Sequence, residues 1–276
     1  MARVSRAGYY RSWQAQEPDR EEMELRDQIQ RIALAHRRYG YRRVTAELRR
    51  QGRVVNHKRV ARLMRLDNLL ALRSKKFRPP TTDSKHSLHV YLNLAARLEV
   101  SGPNQLWIAD ITYVQLKGEF VYLAVVLDAW SRKILGWQLS RSLQSELAVQ
   151  ALRQALEARQ PPAGLVHHSD RGIQYAAEEY TSLLSDRGIL LSMSRAGNPW
   201  DNATCESFMK TLKAEEIDGR AYGTMEELQR EIAIFLEDYY NTRRLHSALG
   251  YCPPAEFEQR HQPETRAAAV MEFSKA

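Results

Sequence analysis

Leu106-Trp107-Ile108-Ala109-Asp110-Ile111-Thr112-Tyr113-Val114 is an apolar run interrupted by one carboxylate. It is rich in β-branched and aromatic residues and too short for a typical helix, so it reads as a strand passing through a core. Asp110 is the anomaly. Burying its charge is costly without a partner, and a bound cation is one way to offset that cost. From this strand alone, a side chain facing water or an arginine explains it equally well.

Outward from this run the pattern stays β and then turns α/β. Further strands are expected over residues 120–128 and 133–140, with hairpin turns at 117–119 and 129–132. A helix over 145–159 follows, then the Pro161-Pro162 break, a buried strand at 165–168, a helix over 178–187 and a strand at 189–194. Antiparallel hairpins followed by alternating helices and strands predict an α/β fold, a mixed sheet flanked by helices.

The first part of the chain has a different grammar. Leu25, Ile29, Ile32 and Ala33 share one face of a helix over 19–38, and Val44 and Leu48 do the same over 42–50. Gly52 then makes a turn, and Asn56 is placed to cap a third helix over 57–65. In that helix Val60, Leu63 and Met64 point inward, which leaves Lys58, Arg59, Arg62 and Arg65 outward. This is helix-turn-helix spacing, although a plain three-helix bundle with a solvated cationic face has the same pattern. Charge favours the former: residues 1–80 carry a net +13 and the remaining 196 a net −5. The basic part is the candidate for binding a polyanion. The expected division is a helical module at 1–72, a basic, proline-containing connector at 73–104 with a short helix over 90–100, a core at 105–260 with a C-terminal helix, and a polar tail at 261–276.

Several function classes drop out. No apolar stretch approaches the roughly 20 residues of a membrane span, and the N-terminus lacks a signal core, so a soluble cytoplasmic protein is expected. Cys205 and Cys252 cannot build a disulfide framework, and His86-x-x-His89 has no cysteine pair to make a zinc finger.

Two more carboxylates occupy telling positions. Asp170 follows Leu165-Val166-His167-His168-Ser169, and Glu206 opens a predicted helix after Asn198-Pro199-Trp200-Asp201-Asn202. Hard divalent cations take oxygen ligands, and a pair of them can hold both oxygens of an in-line phosphoryl transfer with few protein carboxylates. Asp110, Asp170 and Glu206 are the candidate set. Asp128, at a strand end, and Asp201, before the helix, are assigned to turn and cap.

Trp107-Ile108-Ala109-Asp110-Ile111-Thr112, His168-Ser169-Asp170-Arg171-Gly172-Ile173-Gln174-Tyr175, and Asn198-Pro199-Trp200-Asp201-Asn202 leading to Glu206 resemble the core of transposases of the insertion-sequence three family, second-reading-frame (OrfB) type. The acids are separated by 59 and 35 residues, the second interval being shared with retroviral integrases. Tyr41-Arg42-Arg43-Val44 with Val55-Asn56-His57-Lys58-Arg59-Val60 resembles that family's helix-turn-helix. Residues 240–250, Tyr-Asn-Thr-Arg-Arg-Leu-His-Ser-Ala-Leu-Gly, resemble its closing segment.

The resemblance implies a ribonuclease-H-like fold and cut-and-join chemistry on DNA. In that reading Asp110 bridges two Mg²⁺ ions, with Mn²⁺ as a possible substitute, while Asp170 and Glu206 each complete one site. Lys210 and Lys213 share a helix face with Glu206, and the family pattern makes Lys213 the stronger phosphate contact. An equal alternative for Lys210 is a surface ion pair. Water and then the released 3′-hydroxyl serve as nucleophiles. The implied partners are the element's terminal inverted repeats, target DNA, further copies of the chain, and an upstream-frame (OrfA) protein or fusion. The chain has no heptad stretch, so it is expected to be the second product alone. A nuclease that only hydrolyses and a non-catalytic DNA-binding regulator are the rival expectations.

Overall fold

The structure, a computed structural model, describes residues 20–69, 89–195 and 202–261. The first half of the expected connector, Asn198 to Asp201 with the expected cap, and all but the first residue of the tail lie outside the described residues. The chain divides into two compact units, within residues 1–73 and 74–276.

In the first unit α1 (Arg20–Ala35), α2 (Tyr41–Arg50) and α3 (His57–Leu66) pack around Leu25, Ile29, Val44, Leu48, Val60 and Leu63, all fully buried. The sequence dictates the joints. Gly52 takes a left-handed φ of +84° in the turn between α2 and α3, which glycine adopts without steric cost. Asn56 caps α3 as expected, its Oδ1 accepting from Lys58 N–H at 2.8 Å.

In the second unit, among the described residues, five strands pair in the order β3-β2-β1-β4-β5. They are β1 (Leu106–Leu116), β2 (Glu119–Asp128), β3 (Ile134–Ser140), β4 (Val166–Ser169) and β5 (Leu190–Met193). The first three are antiparallel, while β4 and β5 run parallel to β1. This is the expected ribonuclease-H-like mixed sheet. Lys117 and Gly118, with φ of +83° at the glycine, form the tight β1-β2 turn. Asp128 closes the β2-β3 connection, its buried carboxylate accepting from the N–H groups of Asn104, Trp130 and Ser131.

Both faces of the sheet are covered. On one, α4 (Ser145–Arg159), the single turn α5 (Ile173–Ala176) and α6 (Glu178–Ser185) bury Leu152, Tyr175, Tyr180 and Leu184 with Trp107 and Ala109. On the other, α7 (Ala203–Leu212) and α8 (Met225–Ala233) bury Phe208, Leu212, Leu228 and Ile232 with Leu106, Ile108, Val114 and Leu116. Alternation along β1 therefore puts Asp110, two residues from Ile108, on the α7 side. α7 passes into a π-helical turn, Lys213–Ile217, and α8 into another, Ile234–Tyr240, before α9 (Pro254–Arg260) ends the described chain.

One expectation needs correction. The helix anticipated over 90–100 is a single 3₁₀ turn, Ala95–Arg97, in an otherwise extended segment. Its backbone is spoken for elsewhere: Leu94 and Ala95 N–H both donate to Ser192 Oγ on β5, at 2.9 and 3.3 Å. Apolar side chains in a helical rhythm here serve a strand-side strap.

Candidate active site

The site sits where β4 stops. β4 pairs with β1 only from Leu106 to Ile108, so from there on β1 has an open edge. Extending that register by two residues sets Asp170 beside Asp110. Asp170 Oδ1 accepts the Gly172 N–H at 2.9 Å, and Asp110 Oδ1 accepts the Ile111 N–H at 2.9 Å. A β-carbon on Gly172 would lie only 3.0 Å from Asp170 Oδ1, so the loop's tightness depends on glycine.

β4 itself is held rigidly. His168, fully buried, bonds Ser192 Oγ at 2.8 Å and Ser194 Oγ at 3.0 Å across to β5 and the residues after it. His167 contacts Tyr180 Oη at 2.6 Å, and burial pulls its pKa down to about 3. A neutral, enclosed imidazole is a structural part.

α7 brings the third acid. Cys205, Phe208, Met209 and Leu212 anchor the helix in the core, which leaves Glu206 half-buried toward Asp110 and Asp170. Cys205 and Met209, for which the sequence suggests no task, flank the acid as packing residues. The electrostatics reflect this neighbourhood. Burial first, then the charge of Asp170, with Glu206 adding to it, pushes Asp110 up to about 8. Burial and the same three carboxylates also raise the Cys205 thiol.

Glu206 is engaged within its own helix. Its Oε2 pairs with Lys210 Nζ at 2.9 Å across one helical turn, and its side chain is 40 % exposed. Among the described residues, no three His, Cys, Asp or Glu side chains are gathered closely enough to grip an ion. Lys213 behaves differently from Lys210. It opens the π-helical turn, sits half-buried with Nζ 4.1 Å from the Tyr113 ring centre, and feels the Asp110 charge. Burial lowers its pKa, and Asp218 and Asp110 oppose that shift.

In the first unit the four expected DNA-facing cations divide into pairs. Lys58 and Arg65 are exposed on α3. Arg62, also exposed, and Arg59, half-buried, reach Glu21 and Glu22 at the start of α1, at 3.0 to 3.6 Å. Sequence spacing put all four outward, but α1 supplies carboxylates that only the packing reveals. The closing segment, known from the sequence only as a family word, is a clamp. Asn241 bonds both the N–H and C=O of Ile134 on edge strand β3, and buried Arg244 grips Glu215 of the π turn with two bonds of 2.9 and 2.7 Å.

Comparison with known proteins agrees with this layout. Residues 100–199 and 187–254 match family models described as integrase core domain, and residues 19–77 match an HTH-like domain. The chain is 40 % identical to the 31 kDa protein of insertion element IS600 from Shigella sonnei, over 94 % of this chain and 96 % of that one. It is 38 % identical to the transposase of insertion sequence IS904 from Lactococcus lactis, over 88 % and 97 %. Against the InsF transposase of IS3A from Escherichia coli the identity is 37 %, over 95 % and 92 %. Among solved structures, a simian T-cell lymphotropic virus intasome is similar at a TM-score of 0.48 and 17 % identity, covering 86 % of this chain and 75 % of that one. With an identity of this size along almost its whole length, the chain belongs to the IS3 family of insertion-sequence transposases.

Proposed function

We propose that this transposase cuts phosphodiesters at the ends of its element and joins the freed 3′-hydroxyls to a second DNA strand, with Asp110, Asp170 and Glu206 holding two Mg²⁺ ions. The observation that carries the reading is Asp110 itself. With its pKa pushed up to about 8 among two other acids, it holds a proton at neutral pH unless a cation compensates the cluster. The donors are carboxylate oxygens only, which suits hard cations such as Mg²⁺, or Mn²⁺ in its place. Bound there, the ions would stabilise charge on the attacking and leaving oxygens of an in-line displacement.

The chain's own residues divide the remaining work. Asp110, anchored in β1, would hold the ions together with Asp170 and Glu206. Glu206 would have to leave Lys210 to do so, and that pair is exposed and weak. Lys213 then faces the phosphate, its ammonium kept in place by the Tyr113 ring. Lys210, released, becomes a second phosphate contact. Lys58, Arg59, Arg62 and Arg65 of α3 hold the terminal repeat. Further copies of the chain, and an upstream-frame partner, bring two ends together.

The test is an end-labelled duplex carrying the terminal inverted repeat, incubated with Mg²⁺ and a target duplex. Wild-type chain is expected to give joined products, whereas Asp110→Asn binds the duplex and leaves it uncut. Cut products that are never joined would make the chain a nuclease. Bound, unaltered DNA with wild type would make it a regulator.

A further inference from the structure

Tyr175 lies on α5, five residues after Asp170, and has no part in the proposed cutting and joining. Its side chain is 2 % exposed, yet its hydroxyl has no hydrogen-bond partner among the described residues. An unsatisfied buried hydroxyl destabilises a fold, and phenylalanine would fill the same space without that cost. The neighbouring ring does not account for it. Tyr180 meets Tyr175 edge-on, with ring centres 5.4 Å apart, but its own hydroxyl is engaged by His167.

The ring packs against the loop that carries Asp170. Tyr175 N–H donates to Gly172 O at 3.0 Å, and Gly172 N–H donates to Asp170 Oδ1. A β-carbon at Gly172 would lie 3.0 Å from that same oxygen and 3.5 Å from Tyr175 Cδ2, so carboxylate and ring crowd one glycine. The phenol also stays protonated: burial first, then the charge of Asp170, with Asp110 contributing, holds it well above the ordinary tyrosine value. A protonated phenol is a donor that a nearby carboxylate can accept.

We propose that Tyr175 is a positioning residue of the acid cluster: when a divalent cation is held there, the phenolic O–H turns its unused donor to the Asp170 carboxylate and fixes that side chain in its ligating orientation. This rests on the three-acid reading of the site. Partners that orient a ligating carboxylate commonly matter roughly tenfold to a hundredfold in metal affinity.

The test uses the full chain without DNA, as wild type, Tyr175→Phe and Asp110→Asn. Mn²⁺ is titrated in, with the free-ion electron paramagnetic resonance signal as readout, and melting is recorded in metal-free buffer. Tyr175→Phe is expected to melt at or above the wild-type temperature while binding Mn²⁺ at least about tenfold more weakly. Wild-type affinity in Tyr175→Phe overturns the proposal. So does a marked drop in its melting temperature, because the hydroxyl would then have a partner in the ion-free fold. If Asp110→Asn binds Mn²⁺ as wild type does, the three-acid reading itself fails. Loss in Asp110→Asn with no change in Tyr175→Phe removes only the role given to the tyrosine.

Discussion

At the residue scale, Asp110 ties stability, pH and metal together. Its carboxyl is raised to about 8 in the fold from an ordinary value near 4, so over that window the native state holds a proton that the unfolded chain has lost. The stability it contributes is present at low pH and is lost as pH rises through 8. In metal-free buffer, melting should therefore fall between about pH 5 and 8 more steeply for wild type than for Asp110→Asn. His167 has the opposite sign. Its folded value of about 3 lies below the unfolded one, so its contribution is present above about pH 6.5 and is lost as pH falls toward 3. On the proposed metal site, cation binding would displace the Asp110 proton, so apparent Mg²⁺ affinity should climb with pH and level off above about 8, as calorimetric titration at several pH values would report. A pH-independent affinity would contradict the shared negative field.

At the element scale, the site depends on how α4 and the π turn are held. Gly136 of β3 lies against the backbone of α4, where an added β-carbon would fall 2.1 Å from Ala151 O and 2.8 Å from Ala155 N. Backbone cannot move aside as a flexible side chain does. Gly136→Ala should cost about 3 kcal/mol or slightly more, read as a lower urea midpoint. The π turn is locked by Arg244 and Glu215, whose side chains are 4 % and 8 % exposed. Arg244→Leu strands a buried carboxylate and should cost about 3–5 kcal/mol, whereas Arg244→Leu with Glu215→Leu should recover most of it. If the double variant is no more stable than the single one, the pair is not what holds the turn. Because Lys213 opens that turn, the clamp also sets where its ammonium sits.

At the scale of the whole molecule, charge is segregated: net +13 within residues 1–80 and −5 in the rest. Affinity for DNA should reside in the helical module and fall steeply with salt. Lys58→Ala with Arg65→Ala should reduce the slope of log affinity against log salt by nearly two, about 0.9 for each lost phosphate contact. Arg59→Ala with Arg62→Ala should reduce it less, because those guanidiniums already pair with Glu21 and Glu22. Equal slopes for the two pairs would mean that DNA displaces the glutamates fully.

The sequence by itself determined the strand carrying Asp110, the Asn56 cap, the helix-turn-helix spacing, the mixed sheet and the family. These depend on local periodicity, turn chemistry and short motifs, which are written in neighbouring residues. Only the tertiary structure decided that residues 90–100 run extended, since two of their N–H groups find a serine almost a hundred positions away. It alone also paired Arg59 and Arg62 with α1, gave Asn241 and Arg244 their clamp, and left the Tyr175 hydroxyl buried without a partner among the described residues. Each of these is a contact between distant segments. Hydrogen-bond and charge partners of that kind are fixed by packing, and no period in the chain encodes them.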